Sequence, residues 1–95
     1  MDIEFEPEKD SINQAKHEGV SLAEATGSDI DTALVSYDDR AAPDEDRWVA
    51  VGLIDVVLHV LVFTERDGRI RPISLRKAEK SEVRYYETHK ARYGF

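Results

Sequence analysis

Residues Asp55-Val56-Val57-Leu58-His59-Val60-Leu61-Val62-Phe63-Thr64-Glu65-Arg66-Asp67-Gly68-Arg69-Ile70-Arg71-Pro72-Ile73-Ser74-Leu75-Arg76-Lys77 decide how this chain folds. Val, Ile and Phe favour extended backbone, and Asp67-Gly68 suits a tight turn whose central residues need positive φ. The stretch predicts two strands joined by a two-residue turn, and the turn sets the register. Arg66 faces Arg69, Thr64 faces Arg71, Val62 faces Ile73 and Val60 faces Leu75, all on one face of the sheet. The other face pairs Glu65 with Ile70, Phe63 with Pro72, Leu61 with Ser74 and His59 with Arg76. On the first face, the apolar pairs gather at one end and the arginines crowd at the other. Like charges so placed cost energy unless something acidic or anionic meets them. The arginines are therefore balanced by the chain's own carboxylates or built for a phosphate-bearing partner.

Moving toward the N-terminus, Arg47 to Ile54 reads as the preceding strand, turning into the hairpin near Asp55. Thr32 to Tyr37 reads as another strand. Between them, Asp38 to Asp46 is a polar, acid-rich loop without the spaced ligands or glycine of an EF-hand. Val20 to Ala25 predicts a second short helix, opened by a capping-box pattern of Ser21 and Glu24. A first helix starts at Glu6-Pro7-Glu8-Lys9, with proline in the first turn and carboxylates at the positive end of the dipole. It ends near His17-Glu18-Gly19, with Gly19 as a left-handed cap. His17 there is a capping or packing histidine, with a catalytic or RNA-contacting role as the alternative. Asp2 to Phe5 alternates like an edge strand. Beyond Lys77, Ala78, Val83 and Tyr86 fall among charged residues as on an amphipathic terminal helix, where Tyr85 and Tyr86 point different ways.

With 95 residues and 41% hydrophobic content, the chain makes one domain, 1–95, with a modest core. At that size a partner or a homo-oligomer is expected. There is no cysteine, so disulfides and thiolate metal sites are excluded. His17, His59 and His89 show no metal-ligand spacing, and no cofactor motif appears. The longest apolar run, Val56 to Phe63, is too short to cross a bilayer and nothing resembles a secretory leader, so a cytoplasmic location is expected. The net charge of −7 argues against general nucleic-acid binding. It is unevenly spread: residues 1–46 hold 3 basic and 14 acidic side chains, whereas residues 47–95 hold 10 basic and 6 acidic. The second half can still meet an anion locally.

Several segments together resemble the BrnT family of toxins from type II toxin–antitoxin pairs. Phe5-Glu6-Pro7-Glu8-Lys9 is similar to that family's aromatic-acid-Pro-x-Lys opening. Asn13-x-x-Lys16-His17 with Gly19-Val20-Ser21 is similar to its Asn-x-x-Lys-His-Gly-Val-Ser segment, with Glu18 inserted. Arg47-Trp48 with Gly52 matches an Arg-aromatic strand. Thr64-Glu65-Arg66, Gly68-Arg69-Ile70-Arg71 and Ile73-Ser74-Leu75-Arg76-Lys77-Ala78 match the family's signature, with Pro72 in place of an aliphatic residue. Because proline removes a ladder N–H, the strand is expected to bulge or lie exposed on one side there. Glu82 and Tyr85-Tyr86 fit the helix that follows.

The resemblance implies an α+β, RelE-like fold: an antiparallel β-sheet with two N-terminal helices and a C-terminal helix. It also implies a metal-independent endoribonuclease that blocks translation and needs no cofactor. The partners implied are RNA and a BrnA-like ribbon-helix-helix antitoxin, in a heterotetramer or with a toxin homodimer. Operator DNA is reached only through the antitoxin. In a metal-free site, arginine suits the phosphorane oxygens, since its fork stays charged and matches phosphate bidentately. Arg66, Arg71 and Arg76 are the candidates for that role, with Arg69, Lys77, Arg47 and Lys16 on the RNA backbone. His17 or Tyr85 would move the proton, while His59, amid Val and Leu, reads as core. Two other readings are an inactive homologue that only holds its antitoxin and a chain that recognises DNA directly.

Overall fold

A computed structural model describes residues 3–27, 33–38 and 46–93. Helix α1 (Pro7–Lys16) and a 3-10 helix (Leu22–Gly27) precede strands β1 (Leu34–Tyr37), β2 (Trp48–Ile54), β3 (Val57–Arg66) and β4 (Arg69–Lys77), and helix α2 (Lys80–Tyr93) closes the order. The strands form one sheet in the order β1-β2-β3-β4, each antiparallel to its neighbour. This is the α+β arrangement expected, with one correction. The second N-terminal helix is not α-helical. Its capping contacts do form, with Glu24 accepting from the Ser21 N–H at 2.8 Å and Ser21 Oγ accepting from the Ala23 N–H at 3.2 Å. Six residues ending in Thr26-Gly27 give only the short 3-10 form. Asp10 of α1 holds its start, accepting from the Leu22 N–H at 2.7 Å.

Alternation along the strands divides the core in two. On one face Ala50, Leu61, Phe63 and Leu75 pack with Val20, Leu22 and Ala25 around the 3-10 helix, and Ile3 and Phe5 join from the side. On the other face Val51 and Val60 meet Tyr86 of α2. His59 is buried on the first face, its Nδ1 donating to the Val57 carbonyl at 2.9 Å, a structural place as expected. The segment expected as an N-terminal edge strand makes a single parallel bridge, Ile3 to Ile70, in which the Glu4 N–H donates to the Ile70 carbonyl at 2.9 Å. Asp2, Thr32 and most of the acid-rich loop lie outside the described residues.

The central hairpin follows the expected register from Arg66–Arg69 to Phe63–Pro72, and Asp67 and Gly68 both take positive φ. Beyond Pro72 the register shifts by one. Val62 pairs with Ser74, Leu61 with Leu75, Val60 with Arg76 and His59 with Lys77, and Ile73 is the extra residue. The expected pairs Val62–Ile73, Val60–Leu75, Leu61–Ser74 and His59–Arg76 are therefore overturned. The bulge has a physical origin. Ile70 and Pro72 share the outward-facing parity of edge strand β4, where proline's missing N–H breaks no ladder bond. An inserted residue then resets the parity. Leu75 enters the core, and Arg76 moves to the sheet face that carries Arg66, Arg69 and Arg71.

Candidate functional site

The seam between α1 and the outer edge of β4 is closed by Asn13, the one buried residue of α1. Its Nδ2 donates to the Val20 and Leu75 carbonyls, each at 2.8 Å, and its Oδ1 accepts from the Leu75 N–H at 3.0 Å. The amide thus completes the β4 edge as another strand would, in a place where an unpaired peptide group is costly. In sequence, Asn13 stands out only as the first residue of the Asn13-x-x-Lys16-His17 segment. The signal available was an asparagine in mid-helix, a position it occupies at a cost unless its side chain is bonded elsewhere.

A groove follows this seam. At the hairpin-turn end it is lined by Lys9, Thr64, Arg66, Arg71 and Pro72 among others. Its middle runs over Ile12 and Ile73, and Lys9 and Ile73 line both sections. Lys16 and His17 line the middle and also the far end, where Arg76, Lys77 and Glu79 join them. The groove therefore gathers six of the expected site residues: Arg66, Arg71, Arg76, His17, Lys16 and Lys77. Three others are not among its lining residues. Tyr85 is half exposed on α2, its ring 4.0 Å from that of His89. Arg69 sits at the turn with its guanidinium 4.0 Å from Glu4. Arg47 precedes β2 and is half-buried, its carbonyl accepting from the Asp38 N–H.

The two ends of the groove differ in charge pairing. Arg76 forks onto Glu82, Nη1 to Oε1 and Nη2 to Oε2, both at 2.7 Å. Glu82 also accepts from the Glu79 N–H at 2.8 Å, the reach back to the helix start that a glutamate at the third position of a helix makes. The hydrogen bond from Arg76 holds the Glu82 carboxyl below the usual carboxylate range, against an opposing push from burial. At the turn end, among the described residues, no carboxylate oxygen lies within 4.0 Å of the charged groups of Lys9, Arg66 or Arg71. The strand from Arg71 to Arg76 spans roughly 16 Å at about 3.3 Å per residue. The three arginines thus fall into two groups along the groove, Arg66 and Arg71 at the turn end and Arg76 at the far end.

His17 ends α1 as its C-terminal cap, with the Gly19 N–H returning to the Gln14 carbonyl at 2.8 Å. The left-handed position falls first on Glu18 (φ 54) and then on Gly19 (φ 81), not on Gly19 alone as expected. This corner brings the imidazole into one cleft with Arg76, 59 positions on in sequence. Such a cleft has a proton carrier beside cations, the set needed to move a proton next to a developing oxyanion. Among the described residues no three His, Cys, Asp or Glu side chains converge as a metal site, and no helix is long and apolar enough to cross a membrane.

A family model described as "Ribonuclease toxin, BrnT, of type II toxin-antitoxin system" matches residues 5–82. That span contains every groove residue named above. No curated protein matches the chain.

Proposed function

The chain belongs to the BrnT family of ribonuclease toxins of type II toxin–antitoxin systems, and from that premise we propose that it cuts RNA without a metal ion, at the His17–Arg76 end of the groove. The observation that carries this is the shared cleft of His17, Arg76, Lys16 and Lys77. RNA lying along the seam places a 2′-hydroxyl beside the imidazole. His17 takes the hydroxyl proton while the 2′-oxygen bonds to phosphorus. The P–O5′ bond then breaks, and the departing oxygen takes a proton from the imidazolium or from water, leaving a 2′,3′-cyclic phosphate and a 5′-hydroxyl. Arg76, oriented by Glu82, neutralises charge on the phosphorane oxygens, and Lys16 and Lys77 hold the backbone. Tyr85 stands outside the groove, so this reading gives it no proton to move.

A toxin of this class has an antitoxin partner. The reading assigns that role to a BrnA-like ribbon-helix-helix protein that covers the groove and carries any operator contacts. Cutting translated RNA is the route to growth arrest. The test is RNA fragmentation by the purified chain in chelating buffer. His17→Asn should slow cleavage about 100-fold or more, Arg76→Ala should abolish it, and Tyr85→Phe should leave it unchanged. RNA that stays intact at high protein concentration, or loss of cleavage in Tyr85→Phe with retention in His17→Asn, would overturn the assignment.

A further inference from the structure

We propose that the turn end of the groove is a nucleotide pocket that reads a guanine base of the RNA. It rests on the ribonuclease reading above and adds a sequence preference to it. The cleft there holds about 480 Å³, within the size range of small-ligand pockets. Its lining carries both signs of charge: Lys9, Arg66 and Arg71 on one hand, Glu4, Glu6, Asp46 and Glu65 on the other. Among the described residues none of those cations is ion-paired, and the ion pair of Glu4 goes to Arg69 outside the cleft. Opposite charges held apart across a cleft leave a donor set and an acceptor set open together.

That arrangement selects a ligand chemistry. A bare phosphate would meet the carboxylates, and a simple cation would meet the arginines. A nucleotide suits both, with its phosphate on the guanidinium forks and the N–H edge of its base on a carboxylate. Phe5 and Pro72 supply an apolar wall for the ring. The base is singled out by its hydrogen-bonding edge. Guanine presents two adjacent donors, N1–H and the 2-amino group, which match the two oxygens of one carboxylate. Adenine and cytosine set an acceptor nitrogen beside their amino group, and uracil flanks one N–H with two carbonyls. Glu6 is the carboxylate assigned. Ile3 and Phe5 pack on the core, so alternation turns Glu4 and Glu6 toward the Arg71 side, and Glu6 makes no side-chain cap on α1.

The test is a titration of the isotope-labelled full chain with GMP, AMP, CMP, UMP and inorganic phosphate, followed by backbone amide shifts. GMP should bind about tenfold tighter than the other three, as one good bidentate base contact allows, with the largest shifts at Thr64, Arg66 and Arg71. Glu6→Gln should remove the preference and keep phosphate binding, whereas Arg71→Ala should weaken every nucleotide. In short RNAs with a single G, cuts should keep a fixed distance from it, which separates a base held in RNA from a free nucleotide. Equal binding of all four nucleotides, no binding, or shifts confined to His17 and Lys77 would overturn the pocket. RNA cut without regard to G would sink the pocket and spare the nuclease. RNA left intact by a chain that still prefers GMP would do the reverse.

Discussion

The two ends of β4 carry the same kind of residue in opposite conditions. At the α2 end, Arg76 is fixed by a bidentate bond to Glu82, whose own place is set by the first turn of the helix. At the turn end, Arg71 of β4 and Arg66 of the facing β3 stand near carboxylates and engage none of them within 4.0 Å among the described residues. A guanidinium held in one orientation costs no reordering when charge develops beside it, which suits a reacting centre. One left open gains its bonds only when a ligand arrives, which suits recognition. The bulge after Pro72 makes both conditions possible on one strand, because it turns Arg76 toward α2 while leaving Arg71 beside Thr64.

The largest effect should come from removing what holds both ends to α1. Asn13→Ala would strand the Leu75 N–H and two carbonyls in a buried seam, at a cost of about 3 kcal/mol for the set. A urea midpoint shift of that size, with both ends of the groove losing function together, is the expected outcome. A variant as stable as the parent would mean that the amide does not fasten α1 to β4.

The comparison itself is tested by a pair of variants. Arg76→Ala should lower stability by about 1 kcal/mol, since the pair is only about two-thirds buried and is partly screened by solvent. Arg71→Ala should leave stability within about 0.5 kcal/mol while weakening RNA binding. Equal stability losses in the two would erase the distinction between a fixed and an open arginine.

Acid should loosen the pair at the α2 end. The folded Glu82 carboxyl titrates below its unfolded counterpart. Its contribution is therefore complete above the ordinary carboxylate range and fades as pH falls through that range toward the lowered folded value. Denaturation of parent and Glu82→Gln should differ by about 1 kcal/mol at neutral pH and converge in acid. A gap that persists unchanged in acid would detach the pair from the titration.

How much of this was legible beforehand depends on distance along the chain. Asp67-Gly68 announces the hairpin because turn chemistry is local, and the register near it follows by counting. The count fails at Ile73, since Pro72 signals an irregular edge without saying which way the parity resets. The face occupied by Arg76 was lost with it, and so was its pairing with Glu82 across the strand-to-helix junction. The cleft shared by His17 and Arg76 depends on how α1 docks against β4. That docking is set by Asn13, whose partners lie 7 and 62 positions away. The second helix failed for a smaller reason: capping chemistry marks where a helix begins but not whether enough residues follow to make it α.

The smallest effect sharpens the comparison at the His17 corner. Glu18 takes φ 54, a left-handed conformation that costs an L-residue about 1–2 kcal/mol. Glycine there removes that cost but gives back about 0.4–1 kcal/mol through the freer unfolded chain. Glu18→Gly should therefore stabilise the protein by roughly 0.5 kcal/mol, read as a small rise in the urea midpoint. It also deletes one of the two carboxylates, Glu18 and Glu79, that line the cleft His17 shares with Lys16, Arg76 and Lys77. RNA affinity should rise, and the gain should shrink as salt is added, because it comes from unscreened charge. The same change made at the turn end, Glu65→Gly, has no positive φ to relieve and should only lose stability. If Glu18→Gly destabilises the chain, the corner that carries His17 is not wound as described, and the imidazole loses its place beside Arg76.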